Sequence, residues 1–160
     1  MKQKQLLRLI IDKLRDKKQT ISFAESCTGG QIAAAITSIS GSSDVFNGSI
    51  VSYSNDIKHE WLGVSKEILT NHGAVSHECV EEMLRGIVKM AHANYGVAVS
   101  GIAGPNGGSE AKPVGTVFIG LINNDIIDIY HCNFAGDRQS VQKQSVDFAI
   151  NLIAKHLELN

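Results

Sequence analysis

The chain has 160 residues, with 15 lysines and arginines against 16 aspartates and glutamates, for a net charge of −1. That length fits one domain, spanning 1–160, able to bury roughly 70% of the surface its unfolded chain exposes. Its 43% hydrophobic and 19% charged residues suit an ordinary soluble globule, and the balanced charge gives no field for a polyanion, so nucleic acid is not an expected partner.

Three cysteines, Cys27, Cys79 and Cys132, show neither CxxC nor Cys/His spacing. They argue against a disulfide framework or a zinc site and for a reducing cytoplasm. Leu6, Leu7, Ile10, Ile11 and Leu14 recur at helical spacing behind a basic start, which predicts an amphipathic N-terminal helix and not a signal peptide. No apolar run approaches the roughly 20 residues of a membrane span, so no membrane partner is expected. Asn47-Gly48-Ser49 matches a glycosylation sequon that means nothing without a secretory signal.

A strand is predicted near Thr20–Ala24, running into Ala24-Glu25-Ser26-Cys27-Thr28-Gly29-Gly30 and then a helix from about Thr28 to Ile39. A hydroxyl and a thiol thus sit where a strand becomes a helix, beside unpaired N–H groups and the positive end of the helix dipole. Gly41-Ser42-Ser43 is a turn. Val45–Tyr53 reads as a second strand, followed by a short helix capped by Asn55 or Asp56 and carrying Lys58 and Trp61.

Ser76 is placed to cap a helix whose apolar face is Val80, Met83, Leu84, Ile87, Val88 and Ala91, the clearest helical period in the chain. Val97-Ala98-Val99 is a short apolar strand suited to the centre of a sheet. It enters the glycine-rich segment Gly101–Ser109. Strands near Val114–Ile122 and Ile126–Phe134 flank Asn123-Asn124-Asp125 as a hairpin. A last helix begins near Asp137, with Val141, Ser145, Phe148 and Leu152 on one face. This order predicts a three-layer α/β/α domain with a mixed sheet. Ser26, Lys58 and Ser100–Gly108 all fall just after strands, where open α/β sheets place ligands.

Short-motif rules assign no chemistry. Gly101, Gly104 and Gly107 do not have dinucleotide-fingerprint spacing, no Lys-Ser or Lys-Thr closes a P-loop, and no Gly-x-Ser-x-Gly elbow surrounds Ser26. Tyr53 and Lys58 are one residue too far apart for the Tyr-x-x-x-Lys pair of short-chain dehydrogenases, and none of the six histidines forms a metal pair. On these rules alone Ser26 is a helix cap or a nucleophile. Lys58 is a surface lysine, or a general base if burial or nearby positive charge lowers its pKa. Cys27 is a small buried residue or a rival nucleophile. The 101–109 loop is a plain turn or a phosphate cradle. Trp61 and Met83 read as core.

Six segments occur together in order: Ala24–Gly30; Tyr53-Ser54-Asn55 with Lys58; His72-Gly73-Ala74-Val75-Ser76; Ser100-Gly101-Ile102-Ala103-Gly104-Pro105; Lys112-Pro113-Val114-Gly115-Thr116-Val117; and Gly136-Asp137-Arg138. This set, covering roughly Ile21 to Arg138, resembles the CinA C-terminal family, the nicotinamide mononucleotide (NMN) amidohydrolases. Ser100 stands where many members carry threonine and keeps the hydroxyl. Length and both termini resemble the stand-alone form. The resemblance implies an anticodon-binding-domain-like sandwich with about five strands, a homodimer, and hydrolysis of the NMN carboxamide without metal or organic cofactor.

Within that resemblance Ser26 is the expected nucleophile and Lys58 its base, with Tyr53 holding Lys58 or relaying the proton. N–H groups opening the 28–39 helix would stabilise the oxyanion. Ser100 would orient the amide or the water. Arg138 offers a fork for the phosphate, assisted by the loop at Gly101 and Gly104; Glu25, Thr28 and Gly29 complete the expected substrate contacts. Two rivals stand beside it: a non-catalytic nucleotide-binding module, and a Cys27-dependent amidase.

Overall fold

Phe23 and Ala24 adjoin in sequence and serve two different hydrophobic cores, because successive side chains of a strand point to opposite faces. The computed structural model describes residues 1–159. In chain order it contains α1 (Gln3–Asp16), β1 (Ile21–Glu25), α2 (Gln31–Thr37), a 3₁₀ turn at Ser42–Asp44, β2 (Phe46–Val51), α3 (Asn55–Leu62) and α4 (Lys66–Asn71). These are followed by α5 (His77–Ala91), β3 (Tyr95–Gly101), β4 (Thr116–Asn123), β5 (Ile126–Asn133) and α6 (Arg138–His156).

The five strands form one mixed sheet in the order β2-β1-β3-β4-β5. β1 lies parallel to both β2 and β3, and β4 and β5 continue antiparallel. On one face Phe23, Val97, Val99, Ile119 and Leu121 pack with α1, α2 and α6. The other face meets α5, with α3 and α4 outside it. The three layers inferred from the order of elements are therefore present.

The α1 stripe of Leu7, Ile10, Ile11 and Leu14 is fully buried, each side chain contributing about 1.5–3 kcal/mol. α5 lies close against the sheet because small residues face it. A methyl at Gly96 would stand 2.7 Å from Val88 Cγ1, and one at Gly120 would stand 3.0 Å from Leu84 Cδ1. β3 is central, as its apolar run suggests.

Some boundaries differ from the sequence reading. α2 starts at Gln31 because Gly29 and Gly30 hold φ of +58° and +97°, conformations outside the helix. Ser54, not Asn55 or Asp56, caps α3 by accepting from the Ile57 N–H. Trp61 is 50% exposed and not core, whereas Met83 is fully buried. α4, capped by Ser65, has six residues and no buried side chain, too little periodicity to be read from sequence. Among the described residues no helix is long and apolar enough to cross a membrane.

Candidate active site

Three parallel strands end side by side, and the chain leaving each supplies one wall of a pocket. Ser26 follows β1, Tyr53 follows β2, and Ser100 and Gly101 close β3. Open α/β sheets bind ligands at such carboxyl ends. The pocket has a volume of about 240 Å³. Lys58, Val75, Asn106 and Arg138 complete its walls together with Cys27 and Gly104. A roomier hollow of about 360 Å³ lies between β2 and α5. It offers no charged side chain, and its one hydroxyl, Ser49, is bonded to the Phe23 carbonyl.

Lys58 lies in the first turn of α3 and is only 1% exposed. Its Nζ sits 3.1 Å from Ser26 Oγ and 3.0 Å from the Tyr53 carbonyl oxygen. Among the described residues no carboxylate pairs with it. Burial pushes the Lys58 pKa below its ordinary 10.5, against a smaller upward pull from the thiols of Cys79 and Cys27. A lysine desolvated without a counter-ion favours its neutral form, the form that accepts a proton.

Ser26 is 7% exposed and is not a helix cap. The cap of α2 is Gly30, and the free N–H groups of its first turn are taken by Glu25. This fully buried carboxylate accepts from Thr28 Oγ1 at 2.6 Å, Ile32 N at 2.9 Å and Ala33 N at 3.0 Å. Glu25 and Thr28 thus bond to each other and to α2, off the pocket wall. Both were expected as substrate contacts; the structure shows them holding the start of α2. Gly29 is exposed beyond the pocket, where it makes the turn into α2. The same geometry removes the Ile32 and Ala33 N–H groups as oxyanion donors. Among the described residues the N–H groups of Cys27, Thr28 and Gly30 make no hydrogen bond to another residue.

Tyr53 holds Lys58 through its backbone carbonyl, and its phenol turns elsewhere. Arg138 Nη2 donates to Tyr53 Oη at 2.7 Å, while Arg138 Nη1 donates to the Gly104 carbonyl at 2.8 Å. A relay through the phenol is therefore not built. Arg138 opens α6 and has no carboxylate partner among the described residues. Asp137 caps α6 through the Ser140 N–H and leaves the guanidinium uncompensated.

Ser100, in β3, is 1% exposed and lines the pocket, and its hydroxyl makes no hydrogen bond to protein among the described residues. Gly101 is required there, since a Cβ would stand 2.9 Å from the Thr116 carbonyl oxygen. The N–H groups of Ala103, Gly104, Asn106 and Gly107 are likewise without protein partners among the described residues. The loop thus presents a row of free donors beside Arg138. Burial pushes the Cys27 thiol up to about 12, against smaller lowering contributions from its own backbone N–H and from Lys58. A thiol so raised is a poor nucleophile. Among the described residues no group of three or more His, Cys, Asp or Glu is arranged to hold a metal ion.

Sequence reasoning missed Gln142, whose Nε2 donates to the Cys27 carbonyl at 2.9 Å across 115 residues. No local pattern marks it.

The family model for the CinA C-terminal domain matches residues 3–157. A CinA-like protein of Endomicrobium trichonymphae is 49% identical over 144 residues, covering 90% of this chain and 34% of its own length. Another CinA-like protein, of Thermotoga maritima, is 44% identical over 150 residues, covering 94% of this chain and 36% of its own. The chain thus spans about a third of the length of these relatives. Among solved structures, the competence/damage inducible protein CihA of Agrobacterium tumefaciens superposes with a TM-score of 0.93 at 38% identity, covering 98% of this chain and 95% of that one. The competence damage-inducible protein A of Klebsiella pneumoniae gives 0.95 at 33% identity, covering 99% and 98%. Sequence and fold agree, and the chain belongs to the CinA C-terminal domain family.

Proposed function

We propose that this domain is a serine amidohydrolase that hydrolyses the carboxamide of NMN to nicotinic acid mononucleotide and ammonia. The observation that carries the reading is the buried Lys58, without a carboxylate partner, 3.1 Å from Ser26 Oγ. Burying an uncompensated lysine costs stability. Its placement against a hydroxyl at the mouth of a pocket gives that cost a chemical purpose.

In the proposed route Ser26 Oγ attacks the amide carbon as Lys58 Nζ takes the hydroxyl proton. The developing oxyanion meets the free N–H groups of the 27–30 loop; one such donor is worth roughly 3–4 kcal/mol in well-studied cases. The C–N bond then breaks and Lys58 passes its proton to the leaving nitrogen, which departs as ammonia. Water attacks the acyl-serine, Lys58 takes its proton and returns it to Ser26 Oγ, and the carboxylic acid is released. Ser100 is suited to orient the amide or the water.

The phosphate of the substrate is assigned to Arg138 and the 103–107 donors. A guanidinium without an acid partner beside a row of N–H groups suits a bound anion. The route draws on no metal or organic cofactor. Incubating the protein with NMN and measuring ammonia together with nicotinic acid mononucleotide tests it. Equal release of both supports the assignment; release of neither overturns it.

A further inference from the structure

We infer that Gln142 is a positioning residue for the oxyanion site, acting through the Cys27–Thr28 peptide. The inference rests on the serine amidohydrolase reading and adds a residue from the far end of the chain.

The loop carrying Ser26 has little internal support. Gly29 N donates to the Ser26 carbonyl and Gln31 N to the Thr28 carbonyl. The Cys27 carbonyl between them has no such local donor. It accepts instead from Gln142 Nε2 of α6 at 2.9 Å. A trans peptide is planar, with its C=O and N–H pointing in opposite directions. Fixing the Cys27 carbonyl therefore fixes the direction of the Thr28 N–H. That N–H makes no hydrogen bond to protein among the described residues and lies two positions after the nucleophile.

Donation to the carbonyl also polarises the peptide and makes its N–H a stronger donor. A preorganised N–H aimed at developing charge acts mainly in the transition state. Gln142 lies one turn after Arg138 on α6. The same two turns of helix thus hold the Gly104 carbonyl, the Tyr53 phenol and the nucleophile loop. The cap at Asp137, which accepts from Ser140 N, fixes where both side chains begin.

The test compares Gln142→Met, of similar length but unable to donate, with Gln142→Lys, which restores a donor of similar reach. Two readouts are taken: steady-state NMN hydrolysis, and the rate of Ser26 phosphonylation by a small fluorophosphonate followed by intact mass. The second needs the nucleophile, its base and the oxyanion donors but no nicotinamide recognition.

Gln142→Met is expected to lower kcat and the phosphonylation rate by about 10- to 100-fold, with KM within about twofold. Gln142→Lys should recover most of both rates. A role in packing alone would instead rank Met nearest to wild type. Equal rates for Gln142→Met and wild type overturn the inference and leave the NMN reading standing. Wild-type phosphonylation at Ser26 without NMN turnover overturns the substrate assignment, while the Met and Lys variants still test the inference by labelling rate. A wild type inert to both reagents overturns both.

Discussion

Lys58 Nζ and Ser26 Oγ stand 3.1 Å apart, with the lysine 1% exposed and its other hydrogen bond given to the Tyr53 carbonyl. The pair is set by two strand ends: β1 delivers the serine, and β2 delivers the Tyr53–Ser54 turn that caps α3 and points Lys58 inward.

The two candidate nucleophiles separate by mutation. Ser26→Ala removes the proposed attacking atom and should lower turnover by several orders of magnitude. Its stability should fall only by the lost hydrogen bond to Lys58, about 1 kcal/mol, because Gly30 and not Ser26 caps α2. Cys27→Ala should keep substantial activity, since burial holds its thiol up to about 12. Steady-state assays on both variants check this. The reverse ranking would transfer the mechanism to the thiol.

Lys58 carries a pH signature. Burial lowers its pKa below 10.5, so activity should rise with pH along a limb lying below the free-lysine value. Between the folded and unfolded pKa values the unfolded chain binds the extra proton, so stability also rises with pH across that window. Lys58→Met should abolish the activity and flatten this dependence, with its stability relative to wild type greatest at low pH. Lys58→Arg should be nearly as inactive, because a guanidinium does not deprotonate usefully. A Lys58→Arg protein with most of the wild-type rate would reduce Lys58 to an electrostatic anchor.

Arg138→Ala should raise KM for NMN by about 10- to 100-fold, the value of a charge-assisted contact. Nicotinamide riboside, which lacks the phosphate, should be affected much less. Tyr53→Phe removes the phenol that Arg138 holds but keeps the carbonyl that holds Lys58. Its effect should therefore follow Arg138→Ala in KM and not Lys58→Met in kcat. Equal losses for both substrates in Arg138→Ala would remove the phosphate role.

Glu25 tests the architecture apart from the chemistry. Glu25→Ala leaves Thr28 Oγ1, the buried Ile32 N–H and the half-buried Ala33 N–H without their acceptor and should cost about 3 kcal/mol. Glu25→Gln keeps one acceptor and should cost less. Urea denaturation measures both. A Glu25→Ala protein as stable as wild type would contradict the capping role.

Strand and helix order was legible because β1, β3 and the α5 stripe have strong, uninterrupted periods, whereas α4 is too short to show one. The pairing of Ser26 with Lys58 was foreshadowed by ordered segments, not by any local rule, since 32 residues separate the partners. The helix-holding bonds of Glu25 were not legible, because a carboxylate beside Ser26 looks the same in sequence whether it faces a pocket or a helix end. For Tyr53 only the fold shows that the backbone carbonyl meets Lys58 while the hydroxyl meets Arg138. Gln142 left no trace, because its partner is a backbone carbonyl 115 residues away.

The most direct test of the account is NMN hydrolysis by wild type and Ser26→Ala side by side, with ammonia and nicotinic acid mononucleotide quantified in the same samples. The account predicts stoichiometric release of both by wild type, undiminished by exhaustive chelation, and none above background by Ser26→Ala. No release by wild type, or equal release by the two proteins, would contradict it.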